Sequence, residues 1–310
     1  MESQLNNGIK DVCKLLEEGK PAQAKKAISE VLEYELDNKE INFALWCCEF
    51  WIDFIDQLPE LDLFEQGEGL FSRWKSFLLA VQHKSQAFDR IMYSVQTGVF
   101  TLALNSFNII VKERNYFQKA EIFKKTGICL KKLGKYENAL NCLTEANGMS
   151  PSSAAILAEM ADCYALCGEE KRAKVLFREA FFIDAQKIDI DFLDSELICC
   201  LIRQVKEKGY VGAALQEWIP VYGVLLGVLN VKRELRSQEV GKLKQEIYAM
   251  ENQKKNSTDE YNDIFVPKMI NMYFWLIDHY MMTNDSGKKI SDIMLKIKIL
   301  DRNVYEMYDK

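Results

Sequence analysis

The sequence contains few side chains that perform chemistry at neutral pH. Its only histidines are His83 and His279, and neither lies in an H-E-x-x-H arrangement or beside a recognisable nucleophile. Gly67-x-Gly69 is not followed by Lys-Ser or Lys-Thr, so it does not form a phosphate-binding loop. These absences predict a non-enzymatic protein without catalytic or cofactor-binding residues and without a cofactor.

Long hydrophobic runs and an excess of positive charge are also missing. The longest nearly uncharged run, Trp218 to Val231, is too short to span a bilayer. Met1 to Gly8 has neither the basic region nor the apolar core of a signal peptide. The net charge of −6 favours neither DNA nor an anionic membrane as a partner. We therefore expect a cytoplasmic protein that is not inserted in a membrane and does not bind nucleic acid.

The nine cysteines indicate neither disulfides nor a metal site. Cys47-Cys48 and Cys199-Cys200 are adjacent pairs, a poor geometry for bridging each other. Cys163 and Cys167 share one helix face, but no second pair or histidine lies near them in the sequence. The acidic segment from Asp184 to Glu196 lacks the glycine spacing of a calcium loop. We predict buried thiols in a reducing compartment and no metal.

A repeated helical pattern is the clearest positive feature. A set of small and large residues recurs after 34 positions: Gly134, Ala139, Leu143 and Ala146 are matched by Gly168, Ala173, Phe177 and Ala180. The small residues would let two helices approach closely, and the large residues would fill the space between them. Gly134 is expected to end a helix in the left-handed conformation, which costs glycine little.

A period of 34 with these residues at these offsets resembles the tetratricopeptide repeat (TPR) family. The resemblance covers 120–153 and 154–187, with degenerate copies at 5–38, 84–117 and 195–228. In 84–117, the segment from Gly98 to Phe107 is expected to be the turn and second helix of a hairpin. The resemblance implies an all-α fold, a right-handed superhelical α-solenoid of TPR-type helical hairpins with a C-terminal helical cap.

The predicted parts are a degenerate helical-repeat part over 1–83, a TPR array over 84–228 and a C-terminal part over 229–310. The last part is a cap or an independent output element. It is expected to begin within a long helix whose apolar stripe spans 225–250, followed by a polar linker from Lys254 to Asp259. Two further helices are predicted from Tyr261 to Met282 and from Ser291 to Tyr308.

Residues 39–79 form a helix pair unusually rich in large aromatic side chains. They either pack in the core or form an exposed groove for a partner helix. The sequence leaves both interpretations open.

The first helix of each repeat lines the concave face in TPR arrays, so the resemblance implies a partner-binding groove at its outward positions. These positions are Phe88, Met92, Val95, Lys124, Ile128, Lys131, Lys132, Asp162, Arg203 and Lys206. Lys124 stands at the position of the clamp lysine in chaperone-binding members, but Ile128 replaces the clamp asparagine and Asp162 has the wrong sign. The resemblance therefore does not extend to binding of chaperone C-terminal tails. Alternatively, Lys131 and Lys132 only solubilise a helix end.

These features predict a scaffold or adaptor/chaperone that binds a helical or extended segment of a protein partner in its concave groove. One alternative is a peptide-sensing regulator whose C-terminal helices are the output. Another is an enzyme on an α-solenoid, which a closed polar pocket rather than an open groove would indicate. Self-association through 39–79 or 225–250 can coexist with the scaffold function.

Overall fold

The computed structural model describes residues 2–32, 38–84, 86–112, 119–256, 263–284 and 287–309. Within these ranges the chain is helical, with short 3₁₀ turns and no strand. The prediction of an all-α fold is confirmed. The chain divides into two compact units, residues 1–150 and 151–310. This division falls within the predicted 84–228 array, and the predicted boundaries after 83 and 228 stay predictions.

The first unit contains seven helices in its described residues: α1 (Glu2–Glu17), α2 (Pro21–Leu32), α3 (Lys39–Gln57), α4 (Leu63–Gln82), α5 (Asp89–Lys112), α6 (Lys119–Lys132) and α7 (Tyr136–Met149). The second contains eight: α8 (Ala154–Leu166), α9 (Glu170–Asp184), α10 (Glu196–Lys206), α11 (Gly212–Leu225), α12 (Ser237–Asn256), α13 (Phe265–Met282), α14 (Gly287–Leu300) and α15 (Arg302–Tyr308).

Three helical hairpins turn in the same way, at Gly19, Gly134 and Gly168. Each glycine has a positive φ, between 70° and 83°. Its N–H donates to the carbonyl three residues earlier, and the next N–H donates to the carbonyl five residues earlier, at 2.8–3.0 Å. These bonds satisfy the last carbonyls of α1, α6 and α8. After the turn, Ala139 and Ala173 are fully buried, so the predicted small-residue contacts form.

The predicted hairpin at Gly98 is wrong. α5 is one continuous helix from Asp89 to Lys112 and contains Gly98 without a turn. A Cβ atom at Gly98 would lie 2.0 Å from the carbonyl oxygen of Leu16, so this glycine lets α5 contact the backbone of α1. The spacing between this glycine and the alanine that follows it is the same as at a hairpin turn. Here, however, the glycine permits close helix packing and does not form a turn. The predicted end of this repeat and its connection to the next one, at 113–118, lie outside the described residues.

α5 is also the helix, among the described residues, that is long and apolar enough to cross a membrane. Just over half of its most apolar window is buried within the structure. It packs against α1, α4 and α6. This is the environment of a core helix, and its length and composition alone are weak grounds for a membrane span.

The aromatic side chains of 39–79 pack in the core, which resolves the two interpretations of this segment. Phe77 is fully buried. The centroid of its ring lies 5.3–5.7 Å from the ring centroids of Trp46, Phe50, Trp51 and Trp74. Such offset and tilted ring pairs add to the stability gained by burial. Of the two interpretations, the core helix pair is the one that the structure supports.

The second unit has one hydrophobic core that runs from Ala154 to Val304. An ion pair between Arg178 on α9 and Asp278 on α13 is buried within this unit. The guanidinium of Arg178 also donates to the carbonyl of Leu229 and lies 5.0 Å from the Trp275 ring centroid. The C-terminal helices therefore share a core with α8–α11, which favours the cap interpretation over an independent output element.

Two predicted helices of the C-terminal part are interrupted. α11 ends at Leu225, and residues 226–236 are irregular. The N–H of Leu229 donates to the Gly223 carbonyl at 2.7 Å, which folds the chain back on the helix end. The helix predicted from Ser291 to Tyr308 is divided at Asp301, whose carboxylate accepts the Val304 N–H at 3.0 Å and caps α15.

The predicted linker begins inside α12, which extends to Asn256. The rest of that linker, and the predicted start of the next helix at Tyr261, lie outside the described residues.

The close contact at Gly98 generates a stability prediction. Gly98→Ala would place a methyl group against the Leu16 carbonyl, so we expect it to lower the free energy of unfolding by about 2 kcal/mol. Gly148→Ala is the matched control, because a Cβ at Gly148 in α7 meets no atom within 4 Å. It should be neutral or stabilise by up to about 1 kcal/mol. Urea unfolding measures both, and equal stability of the two variants would refute the close approach.

Candidate functional site

The predicted groove positions on α5 and just before it belong to the packed interior of the first unit. Val95 is buried, and Phe88 and Met92 are half-buried. The Phe88 ring centroid lies 5.8 Å from that of Phe43 on α3. Val95 is therefore not accessible as a groove position requires, and Phe88 and Met92 are only partly accessible.

The predicted positions on α6 are also largely covered. Ile128, Lys131 and Lys132 are buried, with the two lysines only 2% and 6% exposed. Lys124 is half-buried and its ammonium lies 2.8 Å from the Glu121 carboxylate. The prediction that Ile128, Lys131 and Lys132 point outward is wrong, because these side chains are buried. For the same reason, Lys131 and Lys132 do not act as a solubilising helix end.

Asp162 has a structural role that its groove position does not predict. Its side chain is fully buried. Its two carboxylate oxygens accept the backbone N–H groups of Asp194 and Ser195, each at 2.8 Å. These N–H groups directly precede α10, so Asp162 on α8 holds the backbone that leads into that helix. The donors are more than thirty residues away in the sequence, which is why the local pattern did not reveal them.

Arg203 and Lys206 are the exposed members of the predicted groove set. Both lie on α10, and the guanidinium of Arg203 forms an ion pair with Glu196 at 2.5 Å. The carbonyl of Lys206 accepts the N–H of Gly209, where the chain turns toward α11. The accessible end of the predicted groove thus leads into the α10–α11 turn.

An open cleft lies at this turn, within the second unit. Its volume is 410 Å³, within the range of about 300–1,000 Å³ typical of ligand sites. The residues that line it come from the α10–α11 turn and α11, from the start of α13 and from the junction of α14 with α15: Gly209, Tyr210, Val211, Ala214, Trp218, Asp263, Val266, Leu300 and Asp301.

The aromatic wall of the cleft is set by the backbone of the turn. Gly209 and Gly212 both have positive φ, 92° and 55°, and they flank Tyr210 and Val211. The ring of Tyr210 folds back and stacks on Trp218, with centroids 4.8 Å apart and planes inclined by 21°. Tyr222, one turn further along α11, completes the cluster at 5.6 Å from Trp218. Val211 remains 75% exposed at the rim.

The cleft is negatively charged. Among the described residues that line it, Asp263, Asp301 and Tyr210 are the titratable ones, and none is a Lys or Arg. Burial, a hydrogen bond with Tyr210 and the charge of Asp301 together raise the pKa of Tyr222. The ammonium of Lys208 lies 4.9 Å from the centroid of the Tyr222 ring. The aromatic cluster thus already accommodates one cation.

The described residues contain no group of three or more His, Cys, Asp or Glu side chains that could hold a metal ion. Burial raises the pKa of the Cys48 thiol to about 12 and raises that of the fully buried Cys129 as well. Thiols of this kind stay protonated at neutral pH and pack as small apolar side chains.

No model of a known protein family matches the chain, and no curated protein matches it. The TPR resemblance therefore stays a prediction drawn from the repeated residues.

The role of Asp162 in holding the backbone before α10 is testable by substitution. Asp162→Ala leaves two backbone donors without their carboxylate, so we expect the free energy of unfolding to fall by about 3 kcal/mol. Asp162→Asn keeps one acceptor oxygen, so its free energy of unfolding should lie between those of the wild type and Asp162→Ala. Asp191→Ala, an exposed acid in the segment that precedes α10, should change stability by less than about 0.5 kcal/mol. A harmless Asp162→Ala would contradict the role.

Glu217, next to Trp218, generates a pH prediction. It is buried, it accepts a hydrogen bond from Gln186 at 3.0 Å, and burial raises its pKa. As pH rises, the Glu217 carboxyl loses its proton in the unfolded chain before it does so in the folded chain. The contribution of Glu217 to the free energy of unfolding therefore falls. Glu217→Gln should therefore have a higher free energy of unfolding than the wild type at about pH 7, and this difference should disappear at about pH 4.

Chemical denaturation across this pH range measures the effect. The matched control is Glu207→Gln, an exposed acid in the same hairpin, which should follow the wild-type pH profile. A Glu217→Gln variant that also follows the wild-type profile would show that the carboxylate is not destabilised by burial.

Proposed function

We propose that this protein is a non-enzymatic scaffold or adaptor that binds a segment of a partner protein in the cytoplasm. In this proposal its hairpins are TPR-type repeats of a right-handed superhelical α-solenoid. The observation that carries the proposal is the open, aromatic-walled cleft at the α10–α11 turn. An open cleft leaves room for an extended segment, whereas a closed polar pocket would favour an enzyme.

The chemistry of the cleft fits an extended peptide. Binding energy at protein interfaces is concentrated in a few aromatic and apolar contacts surrounded by polar groups. Tyr210, stacked on Trp218, supplies a rigid aromatic contact, and the exposed Val211 supplies an apolar one. Arg203 and Lys206 on the adjoining helix are exposed charges that would set register and association rate.

The helical hairpins support the same proposal. The glycine turns at Gly134 and Gly168 and the buried alanines that follow them are the features on which the TPR resemblance rests. Helical repeats of this kind build extended surfaces for other proteins. The bound segment then contacts the turn at the end of a hairpin.

A photo-crosslinking amino acid at Val211, introduced in the native cell, tests the proposal. We expect a defined partner to be captured at this position, and none at Val175, an exposed apolar position on α9. Tyr210→Ala should weaken binding of that partner by roughly thirtyfold, the effect of removing an interface hot spot of about 2 kcal/mol. Tyr248→Ala, an exposed tyrosine on α12, is the control and should bind like the wild type.

Absence of a crosslinked partner at Val211 would contradict the proposed function. The same follows if Tyr210→Ala and Tyr248→Ala bind the captured partner equally well. Circular dichroism and urea unfolding of both variants separate a loss of contact from a loss of fold.

A further inference from the structure

We propose that the cleft accepts a cationic side chain, an arginine or lysine of the bound segment, between the Tyr210 ring and the carboxylates of Asp263 and Asp301. This inference rests on the proposed function and specifies the chemistry of its ligand. It is carried by the composition and geometry of the cleft.

Charge complementarity is the first argument. Two of the described residues that line the cleft are carboxylates, and none of them is a lysine or arginine. They come from different elements, Asp263 just before α13 and Asp301 between α14 and α15. A neutral ligand would cover these charges without replacing the water that solvates them, and an anionic ligand would be repelled. A cation offsets the cost of covering the carboxylates.

The aromatic wall favours the same charge. Trp218 covers one face of the Tyr210 ring, and Tyr210 still lines the cleft, so the rest of the ring is available to a ligand. Aromatic faces attract Lys and Arg side chains within about 6 Å of the ring centroid. The same cluster holds the Lys208 ammonium near Tyr222 in this way.

The apolar part of the lining fits the rest of such a side chain. Ala214, Val266 and Leu300 line the cleft together with the two carboxylates. Lysine and arginine carry an apolar stem that packs on apolar surface while the charged group stays in a polar environment. A short acidic or hydroxyl side chain would not use both parts of the lining.

Fluorescently labelled peptides that differ at one central position test the inference on the full chain. The central residue is arginine, lysine, norleucine or glutamate in an otherwise uncharged peptide. We expect affinity to fall in that order, and the arginine peptide to weaken as salt is added, because exposed charges are screened. Free arginine amide should bind more weakly than the arginine peptide.

The decisive variant is Asp263→Asn combined with Asp301→Asn. Asparagine is as good a helix N-cap as aspartate, so α15 keeps its cap while the cleft loses both charges. We expect the arginine peptide to bind roughly tenfold more weakly, as expected for two partly exposed ion pairs, and the norleucine peptide to be unaffected. Asp292→Asn with Asp309→Asn makes the same change in net charge at exposed positions and should leave both affinities unchanged.

The outcomes separate this inference from the proposed function. If the norleucine or glutamate peptide binds better than the arginine peptide and Tyr210→Ala weakens that binding, the ligand chemistry is wrong and the scaffold function stands. Unchanged arginine-peptide binding by the variant without Asp263 and Asp301 charges overturns the inference. Equal binding of free arginine amide also overturns it, because a small cation would then be the ligand. If no peptide binds and Val211 captures no partner, both proposals fail.

Discussion

The first unit depends on one close approach between two helix backbones. α5 contacts the carbonyl of Leu16 at Gly98, where any side chain would collide with it. α4 and α6 also pack against α5, so the position of α5 determines where their apolar faces meet. The aromatic cluster around Phe77 then fills the space between α3 and α4. Since densely packed interiors adjust poorly to added atoms, a single missing methyl group controls the arrangement of several helices.

The second unit depends on a buried ion pair, whereas the first depends on a glycine at a close helix contact. Burial disfavours the charged forms of both Arg178 and Asp278, lowering the pKa of the first and raising that of the second. Their mutual attraction and the bond to the Leu229 carbonyl offset that penalty. The pair joins α9, the irregular segment after α11 and α13. Removing one partner would leave the other charge buried and unpaired, so these elements are held in one arrangement.

Local features of the fold could be predicted from the sequence, and features that depend on distant partners could not. The turn at Gly134 follows from the conformational freedom of glycine and from the helical pattern on each side of it. Gly98 has the same spacing to its alanine, but the atom that requires a glycine there belongs to Leu16 in another helix. The sequence pattern places Asp162 on a surface, whereas its carboxylate is buried and accepts from two backbone donors near residue 195.

The candidate site likewise combines residues that the local sequence predicts with residues that only distant packing brings together. The sequence predicts that Arg203 and Lys206 are accessible, and both are exposed on α10, the helix before the turn that lines the cleft. The cleft itself needs Asp263 and Asp301, which only the packing of α13–α15 brings to the α10–α11 turn. The buried Lys131 shows the opposite error, since a lysine-rich helix end predicts exposure from composition alone.

The short turn between Gly209 and Gly212 has a consequence for how this protein could diversify. A Cβ at either glycine would meet no atom within 4 Å, so the glycines are required by their positive φ and not by close packing, while the Tyr210 ring between them stacks on Trp218. Val211 at its tip can therefore be exchanged without repacking the hairpin that carries it. Descendants of one ancestral chain could acquire different ligand preferences at this rim while inheriting the same helical framework.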